Sequence, residues 1–510
     1  MEAASFYYVP VPSEGLLIEG KAGRRTLLGL ERKGLLSPMD ADRYSTHDAI
    51  QSYFHRGLSS ERRSVLASSV SAWLLQAGRD AETRGRLQEA IAYLGNAVAI
   101  ERDRARRADG LHRLGDLRRH VGEHMGAKES YQMAIKEIDD PSTKARLHQK
   151  IAHCLEKLGD LDGADREIAR GLELVPSHPS PEAAWLFYQR ASIAFERQDY
   201  ARALEDVERV TGWVAGIPHD PELWGWLSNL RGLIHDYDPS RFDPALAQAD
   251  FREAIEAWRN IDYKRGLCMT YNNLFGAAVE LGQGEEALPY LDESVRIAEA
   301  LGDVPSKHTA LFSKAWYLTE YRGDYEGAEG LYRDSYRLAK ETGERLKVVW
   351  HYFHFANLYR RQGRYEEARE SLEYFLKSSG SMLNPQNRIG ALALMVRLSA
   401  ACGRLDEADT YLSEADQLAS SNADAGQVAW AQAVLLAHRG ERDAAAASFQ
   451  RAEATKSQAD RGEFLLEYGR FLASLGEKTR AKEVLSRAHD ELPPGRVPIA
   501  REIESTLRLL

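Results

Sequence analysis

One small pattern recurs along almost the whole of this 510-residue chain and leaves few folds open to it. A Gly is followed five residues on by Ala, nine on by a bulky apolar residue and, in most copies, twelve on by a small one. It reads Gly85/Ala90/Leu94/Ala97, Gly122/Ala127/Tyr131/Ala134 and Gly159/Ala164/Ile168/Gly171. It returns at Gly282/Ala287/Leu291/Ser294, Gly323/Ala328/Tyr332/Ser335 and Gly363/Ala368/Leu372/Phe375. It closes with Gly403/Ala408/Leu412/Ala415, Gly440/Ala445/Phe449/Ala452 and Gly476/Ala481/Leu485/Ala488. Two further copies are degenerate: Gln198-Asp199-Tyr200 replaces the Gly before Ala203, Val207 and Val210, and a longer turn, His235–Pro244, precedes Ala247, Phe251 and Ala254. A fixed period of this kind marks a stacked array in which each repeat buries its apolar face on its neighbours.

Each unit reads as two amphipathic helices joined at the Gly. Apolar residues of the first helix recur at three- and four-residue steps, as in Leu147, Ile151, Cys154, Leu155 and Leu158. The Gly ends that helix in a left-handed conformation, and the Ala sits where two helices approach closely. Pro141, Pro176 and Pro493 are expected to stop second helices. The pattern therefore predicts an all-α stack of about eleven helix pairs over residues 61–492, with Val497–Leu510 as a capping helix in a C-terminal segment 493–510.

A repeat array avoids the size limit of a single core. The formal net charge of −10 argues against a protein that coats nucleic acid. Cys154, Cys268 and Cys402 lie far apart, which excludes a disulfide framework and a Cys-based zinc site. No apolar stretch approaches a membrane span, and Met1–Pro12 lacks the basic start and apolar core of a secretion signal. The expectation is a cytoplasmic protein with no membrane contact.

These units resemble the tetratricopeptide repeat, with turn spacings of about 36–44 residues above the minimum of about 34, and the resemblance implies a right-handed superhelix. Links such as Arg296–Asp303 and Arg337–Glu344 resemble the longer-helix variant of kinesin light chain and of bacterial signalling sensors. Residues 15–60 do not carry the repeat. There Gly34-Leu35-Leu36, a polar turn-like Ser37–Arg43, a short strand Tyr44–Thr46, His47-Asp48, Ile50, Tyr53, Leu58-Ser59 and Glu61-Arg62-Arg63 follow a helix over Arg24–Arg32. That series resembles the winged-helix segment of the signal-transduction ATPases with numerous domains. In that family the His of the His-Asp pair reaches the β-phosphate of bound ADP, so the resemblance implies that role for His47 and Asp48. The family's nucleotide-binding domain would precede this segment. About fourteen residues do so here, a short N-terminal tail 1–14, so the resemblance implies a sensor half, separate from a motor or part of a longer chain.

Three tempting motifs are set aside. Gly15–Ala22 matches GxxxxGK but ends in Ala22, which lacks the hydroxyl that ligates Mg²⁺, and carries Glu19. His351 and His354 share a helix face without an identifiable third metal ligand. No nucleophile elbow, HExxH or Cys/His dyad is visible, and the carboxylates fall on solvated helix faces. No cofactor, metal or catalytic group is expected. The excess of basic residues between Gly15 and Arg63 is slight, which makes DNA an unlikely partner.

Binding is expected in the groove lined by first helices. Asn272 and Asn273 resemble the Asn-Asn-Leu with which kinesin light chain and similar repeats clamp a peptide backbone, and Asn229 holds the equivalent place one unit earlier. Helical spacing adds Ser313, Tyr317, Trp350, Phe353, Asn357 and Arg360. The expected function is a protein- or peptide-binding sensor or adaptor, with an effector or ATPase module at its N-terminal end. The alternatives are a passive assembly scaffold and a winged-helix transcription regulator.

Overall fold

The computed structural model of the protein describes residues 58–510 except 176–178, 214–219, 381–382 and 456–460, together with 11–12, 30, 37–38, 43–45 and 56. The helices fall into two compact units, 1–223 and 224–510. In the first, α1 (Ser60–Thr83) pairs with α2 (Leu87–Ile100), α3 (Arg104–His120) with α4 (His124–Glu137), α5 (Pro141–Lys157) with α6 (Leu161–Leu174), and α7 (Pro181–Glu196) with α8 (Tyr200–Thr211). The second starts inside α9 (Pro221–Tyr237), which pairs with α10 (Pro244–Asn260). Five pairs follow: α11 (Lys264–Glu280) with α12 (Gly284–Leu301), α13 (Val304–Tyr317) with α14 (Tyr325–Glu341), α15 (Arg345–Arg361) with α16 (Tyr365–Ser379), α17 (Pro385–Ala401) with α18 (Leu405–Leu418), and α19 (Asn422–Arg439) with α20 (Arg442–Ala454). The last pair is α21 (Arg461–Ser474) with α22 (Lys478–Asp490), and a single helix α23 (Val497–Leu509) ends the chain. Each unit is thus a stack of antiparallel hairpins, eleven in all among the described residues.

The hairpin geometry follows from the repeat. At Gly159 φ is +80°, so the chain leaves α5 through a left-handed residue, and the Asp160 and Gly159 amides bond back to Leu155 and Glu156 carbonyls. Ala90, Ala127, Ala164, Ala328, Ala368 and Ala445 are each fully buried where the second helix crosses the first. The bulky residue four further on has its own socket. A Cβ on Gly115 would lie 2.4 Å from the Tyr131 ring, and one on Gly469 would lie 2.6 Å from Leu485. Helix one therefore supplies a missing side chain seven residues before the turn, and helix two fills the space.

Gln198 adopts φ +63° in place of the turn Gly, and its amide still bonds to the Phe195 carbonyl. Pro141 does not stop a second helix: α4 ends at Glu137, and Pro141 is the first residue of α5, capped by the Asp140 carboxylate on the Thr143 amide. A proline at that position removes only an amide that has no helical partner. Before Gly323, α13 continues as a π-helical turn, Leu318–Arg322.

Helix α23 buries Ile499 and Ile503 against the last hairpin and also extends the second unit back on itself. A Cβ on Gly282 would lie 2.9 Å from Pro494, one on Gly323 would lie 3.2 Å from Pro498, and Arg496 bonds Glu320 at 3.0 Å. The terminal segment expected as an end cap also bridges to turns that precede it by some two hundred residues.

Near the N-terminus three short strands form a sheet of order β1-β3-β2, all antiparallel: β1 (Val11–Pro12), β2 (Ser37–Pro38) and β3 (Arg43–Ser45). Strand β3 falls one residue before the expected Tyr44–Thr46. Ser37-Pro38, expected as turn, pairs with Ser45 and Tyr44, and Val11-Pro12, expected as tail, pairs with Tyr44 and Arg43. Two-residue strands carry no readable alternation. His47 and Asp48 lie outside the described residues, as do Gly15–Ala22.

Two stability changes follow from the turns and sockets. Gln198→Gly relieves a left-handed side chain and is expected to raise stability by about 1 kcal/mol. Gly115→Ala overfills the Tyr131 socket and is expected to cost about 1–3 kcal/mol. Urea unfolding of the full chain, followed by far-UV circular dichroism, checks both signs.

Candidate ligand cavity in the second repeat unit

Successive first helices of the second unit turn one face each toward a common space. From α15 come Trp350, Phe353, His354, Asn357, Arg360 and Arg361, spaced three and four apart as one helical face requires. From α17 come Gln386, Asn387, Gly390, Leu394 and Arg397, from α19 Gln427 and Trp430, and from the π-helical turn Thr319 and Glu320. Together with Trp316, Tyr332 and Arg496 they enclose a cavity of about 470 Å³. This volume lies in the lower part of the range for small-ligand sites.

The base of the cavity is a buried ion network. The Glu463 carboxylate, on α21, accepts a short hydrogen bond and a second one of 3.2 Å from Arg360, one from Arg361 at 3.0 Å and one from Arg397 at 3.3 Å. Arg361 also donates to Glu320 at 3.0 Å, which binds Arg496. Burial alone would push the Glu463 carboxyl up; the guanidiniums of Arg360, Arg361 and Arg397 override it and hold the group well below the usual carboxylate range. The same contest at Glu320, against Arg361, Arg496 and Arg360, has the same outcome. Arg397 lies 3.8 Å over the Trp430 ring, whose indole N–H donates to Glu467 at 2.6 Å.

The wall is aromatic. Trp350 and Phe353 pack on Phe375 with centroids 5.2 and 5.4 Å away, and His354 stacks on Tyr332. Behind them His308 and His351 bring their Nε2 atoms to 3.1 Å, both side chains buried. Burial lowers His354 and His308 to about 4 and His351 to about 3, so all three are neutral imidazoles near pH 7. His351 and His354, which share a helix, thus face different partners. Among the described residues no group of three or more His, Cys, Asp or Glu is placed to hold a metal.

Of the residues picked out by groove spacing, Trp350, Phe353, Asn357 and Arg360 meet in the cavity. The others lie outside it. Asn229 is buried, and its Oδ1 accepts from Asn273 Nδ2 at 2.9 Å and Thr270 Oγ1 at 3.1 Å, a clasp between α9 and α11. Asn272 donates to the Cys268 carbonyl at 2.9 Å, Tyr317 is buried against Phe275 and Tyr321, and Ser313 is half-buried on α13. Arg361, Arg397, Trp430, Arg496, Glu320 and Glu463 were not picked out. Their partners lie up to 176 residues away, a distance no local pattern encodes.

Antiparallel hairpins docked by a small residue on a bulky one define a tetratricopeptide-repeat protein. Residues 246–497 match the family described as MalT-like TPR region. No curated protein matches the sequence. Among solved structures, a signal-transduction ATPase with numerous domains carrying a tetratricopeptide-repeat sensor, from Pyrococcus horikoshii, superposes with a TM-score of 0.57 at 15% identity over 81% of this chain. The chain spans 61% of that protein's length. A Rap protein complexed with Competence and Sporulation Factor gives 0.54 at 12% identity, over 72% of this chain and 99% of that one. The quorum sensor NprR of B. thuringiensis in its apo form gives 0.53 at 13%, over 68% and 97%. At these identities the likeness is one of fold. Among the described residues no helix is long and apolar enough to cross a membrane.

The buried imidazoles set a pH dependence. Their pKa values are lowered in the folded chain from an ordinary 6.5, so below that pH the unfolded chain takes up protons that the folded chain refuses. The stability they contribute is complete above pH 6.5 and is lost as pH falls toward 4. The loss at pH 5 is on the order of 2 kcal/mol for each of His308 and His351. Urea midpoints between pH 7 and 5 check this, and His308→Gln with His351→Gln is expected to flatten the slope.

Proposed function

We propose that the protein is the sensing part of a signalling system, and that the second repeat unit receives a short peptide or a protein tail in the cavity between α15, α17 and α19. The observation that carries this is the convergence of Trp350, Phe353 and Trp430 with Asn357, Arg360 and Arg397 on one half-open cavity. Aromatic and Arg side chains are the usual anchors of binding surfaces, and amides read peptide groups. The fold is shared with a repeat sensor of a signalling ATPase, with a Rap protein solved with a signalling factor, and with a quorum sensor, which supports the same class of role. Occupancy would be passed on to an effector module through the stacked hairpins, where small rotations at successive interfaces add.

Photo-crosslinking tests the site. Benzoylphenylalanine replaces Phe353 in the cavity in one variant and the exposed Tyr365 in another, and each is illuminated in lysate from the native host. The Phe353 variant is expected to yield a discrete peptide or protein adduct that is absent from the Tyr365 variant and lost on Trp350→Ala. Identical adduct patterns from the two positions would overturn the assignment.

A further inference from the structure

Three tyrosines from successive helices meet on the side of α15 that faces away from the cavity. Tyr352 follows Trp350 by two positions, which turns it to the opposite face of the helix. Its hydroxyl lies 3.0 Å from that of Tyr336 on α14, and the two rings meet edge to face. Its ring rests on that of Tyr374 on α16, with centroids 4.0 Å apart and planes tilted by 36°. That separation is van der Waals contact between ring carbons. Tyr374 is 48% exposed, and Tyr336 and Tyr352 are half-buried. Two other tyrosine pairs are less suited to meet a reagent from solution. Tyr317 and Tyr321 stack at 5.2 Å but are both buried. Tyr271 and Tyr290 stack at 5.5 Å, and Tyr271 is buried with its hydroxyl accepting from Arg259. Tyr365 is about as exposed as Tyr374, at 45%, but stands at the other end of α16, roughly 13 Å away along the helix.

Exposure on one ring and contact with a second are what oxidative coupling of phenols requires. Burial, with the neighbouring Tyr336 hydroxyl, pushes the Tyr352 phenol up, so it is protonated at neutral pH and must lose its proton together with an electron. A one-electron oxidant removes an electron from the exposed Tyr374, whose proton goes to water. Ring contact lets the vacancy pass to Tyr352, whose proton leaves along its hydrogen bond with Tyr336. Tyr374 is then open to a second oxidation. Two phenoxyl radicals held in contact join through the carbon ortho to each oxygen. The hydrogen on each of those carbons then moves to its oxygen and restores two phenols. The two electrons and two protons given up reduce one hydrogen peroxide to two waters.

We propose that Tyr352 and Tyr374 are an oxidative modification site, at which a peroxide acting through a one-electron oxidant links the two side chains as dityrosine. The site is independent of what the cavity binds. The new bond joins α15 to α16 and closes the chain between them into a loop, which constrains the unfolded state as a disulfide does. Helix α15 carries Trp350 and Phe353 on its other face, so the same bond holds the helix that supplies the cavity wall. A chain exposed to peroxide would thus keep that hairpin closed.

The test treats the full chain with hydrogen peroxide and a haem peroxidase. Monomeric chain is purified in denaturant, which removes links between copies, and is digested with trypsin. Peptides 348–360 and 370–377 are expected as one joined species, lighter than their sum by the two hydrogens lost, with fragmentation placing the bond between Tyr352 and Tyr374. The joined species is expected to be lost in Tyr352→Phe and in Tyr374→Phe and retained in Tyr365→Phe. Recovery of the two peptides only in unlinked form overturns the proposal, and so does a joined species that persists when Tyr352 or Tyr374 is replaced.

Discussion

Everything in this chain depends on how closely two helices can approach within one hairpin. That distance is set by a side chain that is absent on the first helix and a side chain that is large on the second. The pairs Gly115 with Tyr131 and Gly469 with Leu485 leave no room for even a methyl group. Interiors are packed at crystal-like density, so each hairpin has one permitted separation and one crossing geometry. Gly stands at that place in three hairpins, at 78, 115 and 469, and Ala in four more, at 152, 191, 356 and 433, so in these the close approach recurs and the next hairpin inherits its starting direction from the last. The faces of α15, α17 and α19 converge on one space as a consequence of that repetition, and the cavity needs no dedicated scaffold of its own.

The network at the base of the cavity works by a different logic. Glu463 gains from Arg360, Arg361 and Arg397 more than it loses by leaving water, but the arginines give up hydration of their own, so the cluster adds little net stability compared with apolar residues of the same size. What it adds is intolerance of alternatives. Removing one partner strands a buried charge, so the four elements that carry the cluster are fixed in one register. A wall made only of aromatic residues slides at little cost, whereas this one is pinned at its polar end.

The hairpins were legible because their determinants are local. A left-handed turn, an Ala five residues later and a bulky residue nine later sit within one another's reach in the sequence, and even Gln198 was recognisable by the Ala203 and Val207 that follow it. The sockets at Gly78, Gly115 and Gly469 were equally local, a constant seven residues before the turn, and were readable in principle. Groove residues were legible only in part. Helical spacing places Asn229, Asn273, Trp350 and Asn357 on comparable faces, but whether such a side chain meets open space or the neighbouring hairpin depends on the stacking. Asn229 and Asn273 found each other, while Trp350 and Asn357 opened onto the cavity. Glu463 was beyond reach, since its three arginines lie 66 to 103 residues away and it stands among many surface carboxylates of the same appearance.

An open stack of repeats behaves as a one-dimensional chain, in which the last unit has one neighbour and frays first. The segment Pro494–Pro498 changes that counting in the second unit, because it touches the turns at Gly282 and Gly323 while α23 still covers the final hairpin. The terminal repeats acquire a second set of neighbours far back in the sequence, and the C-terminal boundary is no longer free. Melting from that end has to break contacts of long sequence separation before it can spread, so the seven hairpins of this unit should open together and not one after another. Cooperativity of this kind turns a local disturbance at the π-helical turn into an event felt at the last helix, without any chain of intermediate partners between them.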